Sequence, residues 1–251
     1  MSSEATPLTL NLPDIGPVEY EKNFIAQAVC ELRFPALLEF ETATPVQLQK
    51  QLRKDFPIYE RHHGVSIGAE ISKREPKHIF KSKKGDLIVA FKSSAISLET
   101  AKYKNFHEFG KQLESLLERS KALLDTDFFT RVGLRYINEI PIGDGNLGEW
   151  VRAELAAPLM AGTYGKVSRF FQEVRGSTQS GLYSFRHGFP TVEKADKMLY
   201  TIDFDFFDEN VPFDSVISKI TDFNRESFRF FSWTIGPKAK ESLGKETANK
   251  D

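Results

Sequence analysis

The sequence is poor in cysteine, since Cys30 is the only one among its 251 residues. A single thiol excludes an internal disulfide, and it also excludes a zinc site built from several cysteines. Neither sign of charge dominates, because 34 Lys and Arg residues stand against 35 Asp and Glu residues and the formal net charge is -1. This balance argues against a protein that binds polyanions through bulk charge. A nucleic-acid role would need a local basic patch.

Long apolar runs are also missing from the sequence. A membrane-spanning helix needs about 20 consecutive apolar residues, and no window approaches that length. The first residues show neither the basic stretch nor the apolar core of a secretory signal. We therefore expect a cytoplasmic protein with no membrane partner.

Phenylalanine, in contrast, is abundant, with 22 copies against 7 tyrosines and 2 tryptophans. The first interpretation is a core packed with aromatic side chains, and the second is an aromatic-lined groove. With 40% hydrophobic and 27% charged residues, the composition is that of an ordinary globular protein. The length suits one large domain or two small ones.

The first part of the chain predicts an extended arm at residues 1–22, followed by a βα(β)nα half at residues 23–126. Polar and apolar alternation indicates strands, and apolar residues three or four positions apart indicate an amphipathic helix. A Gly inside a polar turn between two strand-like stretches indicates a hairpin. The predicted elements are a strand at 24–34, a short helix from Thr44 to Asp55, a meander at 65–98 and a long helix at 103–124.

The same order of elements starts again in a second half at residues 127–235. It opens on an alternating strand and closes on a long helix that ends before Gly236-Pro237. The remaining residues, 236–251, are small and polar, and we expect a disordered tail. The predicted elements of this half are a strand at 130–140, a helix at 147–160, strands at 166–174, 181–187 and 197–207, and a helix at 212–231.

The repeated order predicts an α+β fold in which two similar β-α-β(3-4)-α halves arose by duplication. Such halves form a curved antiparallel sheet, or two sheets, with the long helices on one face, by analogy with TATA-binding-protein-like and helix-grip folds. The first strands of the two halves share a short similar sequence, Leu32-Arg33-Phe34 in one and Leu134-Arg135-Tyr136 in the other. The sequence leaves open whether the halves share one sheet.

Four segments of the chain together resemble a known family. They are AVCELRF at 28–34, KGDLIVAFKSSAISLETAKYKNFHEF at 84–109, VGLRYINEI at 132–140 and FNRESFRFF at 223–231. The chain is similar to a sporadically distributed family of uncharacterised bacterial and archaeal proteins with a Gly-Leu-Arg-Tyr-Ile-Asn signature. The resemblance implies a prokaryotic accessory protein, such as one from a mobile or defence locus, and supplies no catalytic residues. Where family members carry Glu-Ala early in the first strand, this chain has Gln27-Ala28.

The strand VGLRYINEI separates two kinds of side chain. One row is apolar apart from Asn138, whose buried amide needs backbone partners. The other row carries Arg131, Arg135 and Glu139, and the first half shows a similar pair in Glu31 and Arg33. These five residues form the candidate binding face. They are either a cross-strand charge network or a surface whose arginines bind phosphates or carboxylates.

Three further groups have a chemical and a structural interpretation. Asp203 and Asp205 share a strand face, which suits Mg²⁺ but also suits the solvated side of a half-buried strand. His187 would act as an acid or base only with a carboxylate nearby; otherwise it is structural. Cys30 lies in an apolar row, and we expect an inert buried thiol.

No nucleophile elbow, Walker A loop or dinucleotide-binding glycine motif occurs in the sequence. We therefore expect a non-enzymatic binding or regulatory protein with a protein partner, no cofactor and no metal. One alternative is a metal-dependent nuclease or phosphoesterase that uses strand carboxylates. The other is nucleic-acid binding across the polar sheet face, which requires Arg131 and Arg135 to be exposed.

Overall fold

The structure of the chain is a computed structural model that describes residue 12 and residues 18–66, 72–143, 145–189, 198–244 and 246–248. Over this part of the chain the fold is α+β, as the sequence predicts. It contains a nine-stranded antiparallel sheet, a separate two-stranded sheet and six α-helices.

The first half of the chain contains a long opening strand, a short helix, a four-stranded meander and a long helix. Its elements are β1 (Val18–Tyr20), β2 (Ile25–Arg33), α1 (Val46–Leu52), β3 (Ile58–Ser66), β4 (Ser72–Lys81), β5 (Leu87–Lys92), β6 (Ala95–Thr100) and α2 (Phe106–Leu124). A 3-10 turn at Leu38–Glu41 precedes α1.

The second half has longer strands and more helices. Its elements are β7 (Phe128–Ile142), α3 (Leu147–Trp150), α4 (Ala153–Met160), β8 (Phe170–Ser177), β9 (Leu182–Phe189), β10 (Met198–Pro212), α5 (Val216–Thr234), α6 (Pro237–Leu243) and β11 (Glu246–Ala248). In the part of the chain described, none of the helices is long and apolar enough to cross a membrane.

The strands of the large sheet lie in the order β3-β4-β5-β6-β2-β7-β10-β9-β8. β2 pairs with β6 in antiparallel register, with Ala28 opposite Thr100 and Arg33 opposite Ala95. β7 likewise lies beside β10. In each half, therefore, the first strand of the half is a neighbour of the last strand of its meander.

The chain contains two compact units. Unit 1 comprises Met1–Ala26, Tyr136–Phe206 and Asp222–Asp251, and unit 2 comprises Gln27–Arg135 and Phe207–Thr221. The boundaries between the units fall inside β2, β7, β10 and α5. The two halves predicted from the sequence meet instead between residues 126 and 127, at the turn that precedes β7.

In unit 2, helix α2 supplies much of the core. Asn105 caps the helix, since its side chain accepts a 2.9 Å hydrogen bond from the Glu108 N–H. Asp125 ends it in a left-handed conformation with φ of 40°. The helix has one buried apolar face, and each buried side chain of this size contributes about 1.5 to 3 kcal/mol. The buried residues of that face include Phe109, Leu113, Leu116, Leu117 and Leu124.

In unit 1, an aromatic cluster forms the centre of the core. The ring centroids of Phe185, Phe204 and Phe230 lie 4.8 to 5.1 Å from one another. Aromatic pairs at this spacing add stabilisation beyond the area they bury. Phe185, Phe204 and Phe230 are therefore core residues, in line with the first interpretation of the composition.

The apolar row of β7 is placed as predicted. Val132, Leu134, Tyr136, Asn138 and Ile140 are all buried. The Asn138 amide finds the backbone partner expected for it, since its Nδ2 donates to the Ile202 carbonyl at 3.3 Å. The predicted orientation of the signature strand is thereby confirmed.

The predicted helix at 147–160 is interrupted. Val151 has extended backbone angles, with φ of −125° and ψ of 153°, so α3 ends before it and α4 begins after it. Its backbone forms an isolated antiparallel bridge with Ile235. The β-branched Val151 side chain is fully buried, and this tertiary contact overrides the helical periodicity.

The prediction of a disordered tail at 236–251 is wrong for its described residues. Helix α6 occupies Pro237–Leu243, with Ala239 and Leu243 buried one turn apart. β11 then pairs with β1, placing Ala248 opposite Val18 and Glu246 opposite Tyr20. The burial of two apolar residues in α6 and the three residue pairs between β1 and β11 oppose the loss of chain entropy on ordering this segment. Most of the predicted arm at 1–22 lies outside the described residues.

Candidate binding face

The candidate binding face begins with Glu31 and Arg33 on β2. Ala28, Cys30 and Leu32 are buried on one side of this strand, so Glu31 and Arg33 point to the other. Arg33 Nε donates to Glu31 Oε1 at 2.7 Å. The acid and the base are therefore paired within one strand, two positions apart.

Arg131 of β7 approaches the same carboxylate. Its Nη1 lies 3.6 Å from Glu31 Oε1, so one carboxylate oxygen lies between two guanidinium groups. The Arg131 side chain is only 15% exposed, and its guanidinium lies 4.4 Å from the centroid of the Phe207 ring. A cation over an aromatic face is held by the ring quadrupole. Arg131 is thus fixed in place, while Arg33 reaches solvent.

Gly133 gives the Arg131 guanidinium room on the strand. A Cβ added at Gly133 would lie 2.5 Å from Arg131 Nη1, closer than any real Cβ contact. The two residues share a strand face, so the arginine side chain can lie along β7 only when the residue two positions later has no side chain. This contact was not predicted, although the spacing Arg-x-Gly on an alternating strand indicates it.

The other two predicted residues differ in their exposure to solvent. Arg135 is half-buried and has an interaction partner of its own. Glu139 is exposed, and its backbone N–H donates to the Phe24 carbonyl at 2.9 Å. The structure brings Glu31, Arg33 and Arg131 together, and we call these three residues with Phe207 the arginine pair site.

Unit 1 has a second charged group, formed by strands β8, β9 and β10. Arg186 Nη2 lies 3.0 Å from Asp203 Oδ2, and the Asp203 side chain is only 6% exposed. One interpretation of the sequence placed Asp203 on the solvated side of a strand. That interpretation is wrong for Asp203, because its side chain is buried. Asp205 is half-buried and has an interaction partner as well. Among the described residues, no cluster of three or more His, Cys, Asp or Glu side chains could hold a metal.

Glu173 of β8 lies in the same group. Its Oε1 accepts hydrogen bonds from Arg175 Nε and from Ser184 Oγ, each at 3.0 Å. The Arg175 hydrogen bond, followed by that of Ser184, lowers the pKa of the Glu173 carboxyl below its usual value. Glu173 is thus ionised at neutral pH, and it is paired with a cation on its own strand, as Glu31 is in unit 2.

His187 of β9 is buried in an aromatic setting. Its Nδ1 lies 2.7 Å from the Tyr200 hydroxyl, and its ring stacks on Phe185 at 4.9 Å between centroids. Burial lowers the pKa of His187 to about 4 and raises that of Tyr200. At neutral pH the imidazole is neutral, and the rings of Phe170, Phe185 and Tyr200 lie around it. The arrangement supports the structural interpretation of His187.

Cys30 is fully buried. Burial, and after it the charge of Glu31, raises the pKa of its thiol. The expectation of a buried thiol is confirmed, and a thiol that stays protonated is a poor nucleophile.

Comparison with known proteins adds no family assignment. A scan against protein-family models finds no match to the chain. A search of the curated proteins also finds no match. The resemblance to the sporadically distributed prokaryotic family remains a prediction from the quoted segments.

Proposed function

We propose that the chain is a non-enzymatic binding protein that recognises another protein through the arginine pair site. The observation that supports this proposal is the position of the Glu31 carboxylate between the guanidinium groups of Arg33 and Arg131. The site presents charges of both signs, with the acid at its centre.

A phosphate backbone is a poor ligand for this arrangement. Nucleic acids are bound by arginines and lysines whose charge is available to phosphates. At the arginine pair site, the Glu31 carboxylate offsets one of the two guanidinium charges, and it would repel a phosphate that approached either of them. The nucleic-acid alternative requires an exposed Arg131, whereas this side chain is largely buried beside Phe207.

A protein surface with complementary acids and bases suits the site better. Mixed charges set the register of protein interfaces and exclude wrong partners. Arg33 is exposed and can form a second ion pair with a partner carboxylate, while Arg131, which lies over the Phe207 ring, stays close to Glu31. A pre-arranged charge loses little conformational entropy on binding.

The internal duplication belongs to the same proposal. In both halves the first strand lies beside the last strand of the meander, since β2 is next to β6 and β7 is next to β10. This repeated neighbour relation supports two β-α-β(3-4)-α halves of common origin, arranged as in TATA-binding-protein-like folds. The sequence resemblance supports an accessory role in a prokaryotic cytoplasm.

Affinity purification of the tagged protein from its host, with and without nuclease, tests the function. The informative variant is Arg33→Glu. The control is Arg225→Glu, because Arg225 is similarly exposed, at 65% against 54% for Arg33, and is also paired with an acid, Asp222. We expect a nuclease-resistant protein partner that binds wild type and Arg225→Glu alike, and binds Arg33→Glu at least about tenfold more weakly.

Two results would overturn the proposal. Recovery of nucleic acid, with loss of all partners after nuclease treatment, would favour the nucleic-acid alternative. Equal capture of the partner by Arg33→Glu and by wild type would remove the arginine pair site from the interface.

A further inference from the structure

Strand β8 is an edge strand of the nine-stranded sheet. It pairs with β9 over its whole length and without a register shift, from Phe170 opposite Phe189 to Ser177 opposite Leu182. In the part of the chain described, the other side of β8 has no strand neighbour. An edge of this kind presents a regular row of N–H and C=O groups to a further strand.

Apolar side chains accompany that row of backbone groups. Val174, in the middle of β8, is 47% exposed, and Phe171 is exposed as well. The two residues lie on opposite faces of the strand, since they are three positions apart. Leu182, opposite the end of β8, is also exposed. A strand added at this edge would bury apolar surface on both faces of the sheet.

Glu173 and Arg175 flank Val174, and both lie on one face of β8. Charges at an edge strand normally prevent pairing with other strands. Here the two charges are opposite in sign and symmetric about Val174. In an antiparallel pair with an identical strand, their effect depends on the register.

Geometry restricts that register. A two-fold axis normal to the sheet leaves each side chain on the same face of the sheet in both copies. Residues that face each other across the two strands must lie on the same face, so the axis passes midway between one residue and its own copy. We name each register by that residue. An axis through Glu173 places two glutamates opposite each other, and an axis through Arg175 places two arginines opposite each other. An axis through Val174 places Glu173 of each copy opposite Arg175 of the other. Opposite charges at directly facing positions stabilise a strand pair.

In the Val174 register, residues 171–177 of β8 pair with the same residues of the second copy. Phe171 then faces Ser177, Gln172 faces Gly176, and Val174 meets its own copy on the other face of the sheet. Nearly every residue of the eight-residue strand has a partner in the second copy.

We infer that the chain self-associates through β8, which pairs in antiparallel fashion with β8 of a second copy about a two-fold axis at Val174. The interface is isologous, because the same strand serves on both sides. It does not depend on the arginine pair site. It rests on the unbroken register of β8, the exposure of Val174 and the self-complementary charges of Glu173 and Arg175.

Charge reversal at the two flanking positions tests the inference by sedimentation equilibrium of the full chain over a concentration series. Glu173→Arg places arginines at both flanking positions, and Arg175→Glu places glutamates at both, so each variant meets like charges in its own copy. We expect the dimerisation constant of each single variant to fall at least about tenfold. The double variant, Glu173→Arg with Arg175→Glu, restores opposite charges and should restore dimerisation.

Mixing the two single variants separates pairing between copies from effects inside one strand. Neither variant pairs well with itself, but together each glutamate faces an arginine. We expect the mixture to form a heterodimer at concentrations at which each variant alone is monomeric. A structural loss inside β8 would not be rescued by mixing, and circular dichroism of each variant checks its fold.

Wild type that stays monomeric up to about 0.1 mM would overturn the inference. Single variants that dimerise like wild type, or a mixture that fails to associate, would also overturn it. Arg33→Glu should leave self-association unchanged, so the outcome is independent of the proposed partner site.

Discussion

Each compact unit contains a hydrogen bond between a histidine of its strands and a tyrosine of a neighbouring strand. In unit 1, His187 and Tyr200 are 2.7 Å apart and both are buried. In unit 2, His78 and Tyr59 are 2.9 Å apart, and His78 is buried, but Tyr59 is 37% exposed. The residue types and the distances are alike, while access to water differs.

The ion pairs of the two units differ in the same direction. Asp203 is almost fully buried in its pair with Arg186, whereas Glu31 keeps contact with solvent beside Arg131. Water can replace a lost partner at an exposed group, but a buried group left without its partner keeps its full desolvation cost. Equivalent substitutions should therefore cost more stability in unit 1 than in unit 2.

The edge strands of the sheet differ as well. β8 in unit 1 keeps a constant register with β9. β3 in unit 2 has a register shift between His63 and Val65, and Arg61 Nη2 donates to the Thr42 carbonyl at 3.2 Å. A bulge and a charged strand are common means of preventing edge pairing. Of these two edge strands, β8 is therefore the one suited to association.

The largest expected effect comes from a backbone change at the β8–β9 hairpin. Gly188 has φ of +139°, and a Cβ there would overlap the Phe170 carbonyl oxygen. We expect Gly188→Ala to lower the free energy of unfolding by at least about 3 kcal/mol. Gly85→Ala in unit 2 is the control, because Gly85 also has positive φ, +68°, but nothing lies within 4 Å of its added Cβ; its cost should be about 1 kcal/mol. Urea unfolding measures both, and equal losses would contradict the argument.

Removal of the charge of Asp203 should have the next largest effect. Asp203→Asn leaves the Arg186 guanidinium, part of which is buried, without its counter-ion, and we expect a loss of about 2 to 3 kcal/mol. Glu31→Gln, the matched change in unit 2, should cost less than about 1 kcal/mol because the pair is more exposed. Thermal and urea unfolding of the two variants provide the comparison. A larger loss for Glu31→Gln would reverse the order of the two units.

Acidification should weaken the protein through His187. Its pKa is about 4 in the folded chain and 6.5 as the reference value, so the unfolded chain takes up the proton first as the pH falls. The contribution to stability is complete above pH 6.5 and is lost between pH 6.5 and pH 4. We expect a loss of about 2 kcal/mol between pH 7 and pH 5.

His187→Gln is the control for this titration, since the amide does not take up a proton in that range. The pH dependence of its unfolding free energy should be flatter than that of wild type. If wild type and His187→Gln show the same slope, another group is responsible.

The smallest effect should come from the tyrosine hydroxyls. Tyr200→Phe leaves His187 Nδ1 buried without its partner, and we expect a loss of about 1 to 2 kcal/mol. Tyr59→Phe should cost only about 0.5 kcal/mol, because water reaches this position and can replace the hydroxyl. Chemical denaturation of both variants under identical conditions compares the two losses of unfolding free energy. Since the two distances are similar, equal losses would contradict the idea that burial controls the stabilisation from the histidine–tyrosine hydrogen bond.

The elements that follow a local pattern could be predicted from the sequence. Helix α2 has regular apolar spacing and a capping Asn105, and β7 alternates strictly. Strand β3 was missed over its first residues because its sequence, IYERHHGVS, is largely polar. Helix α6 was missed because only Ala239 and Leu243 mark its buried face among polar residues.

The candidate site was predictable only in part for a related reason. Glu31 and Arg33 are close in the sequence, so their pairing could be anticipated. The contacts between Arg131 and Phe207, and between Arg186 and Asp203, join residues of different strands. Which strands are neighbours, and in which register, depends on the assembled sheet, and a local pattern does not contain that information.

The pairing of β1 with β11 has a mechanical consequence. The chain enters this small sheet at Val18 and leaves it at Ala248, and these two residues face each other. A force that pulls them apart acts on the outermost pair first and then on each following pair in turn. Strands loaded in this way open like a zipper, at a lower force than strands pulled in shear. Stretched between these two points, the molecule should release its terminal strands before α6 and the large sheet carry any load.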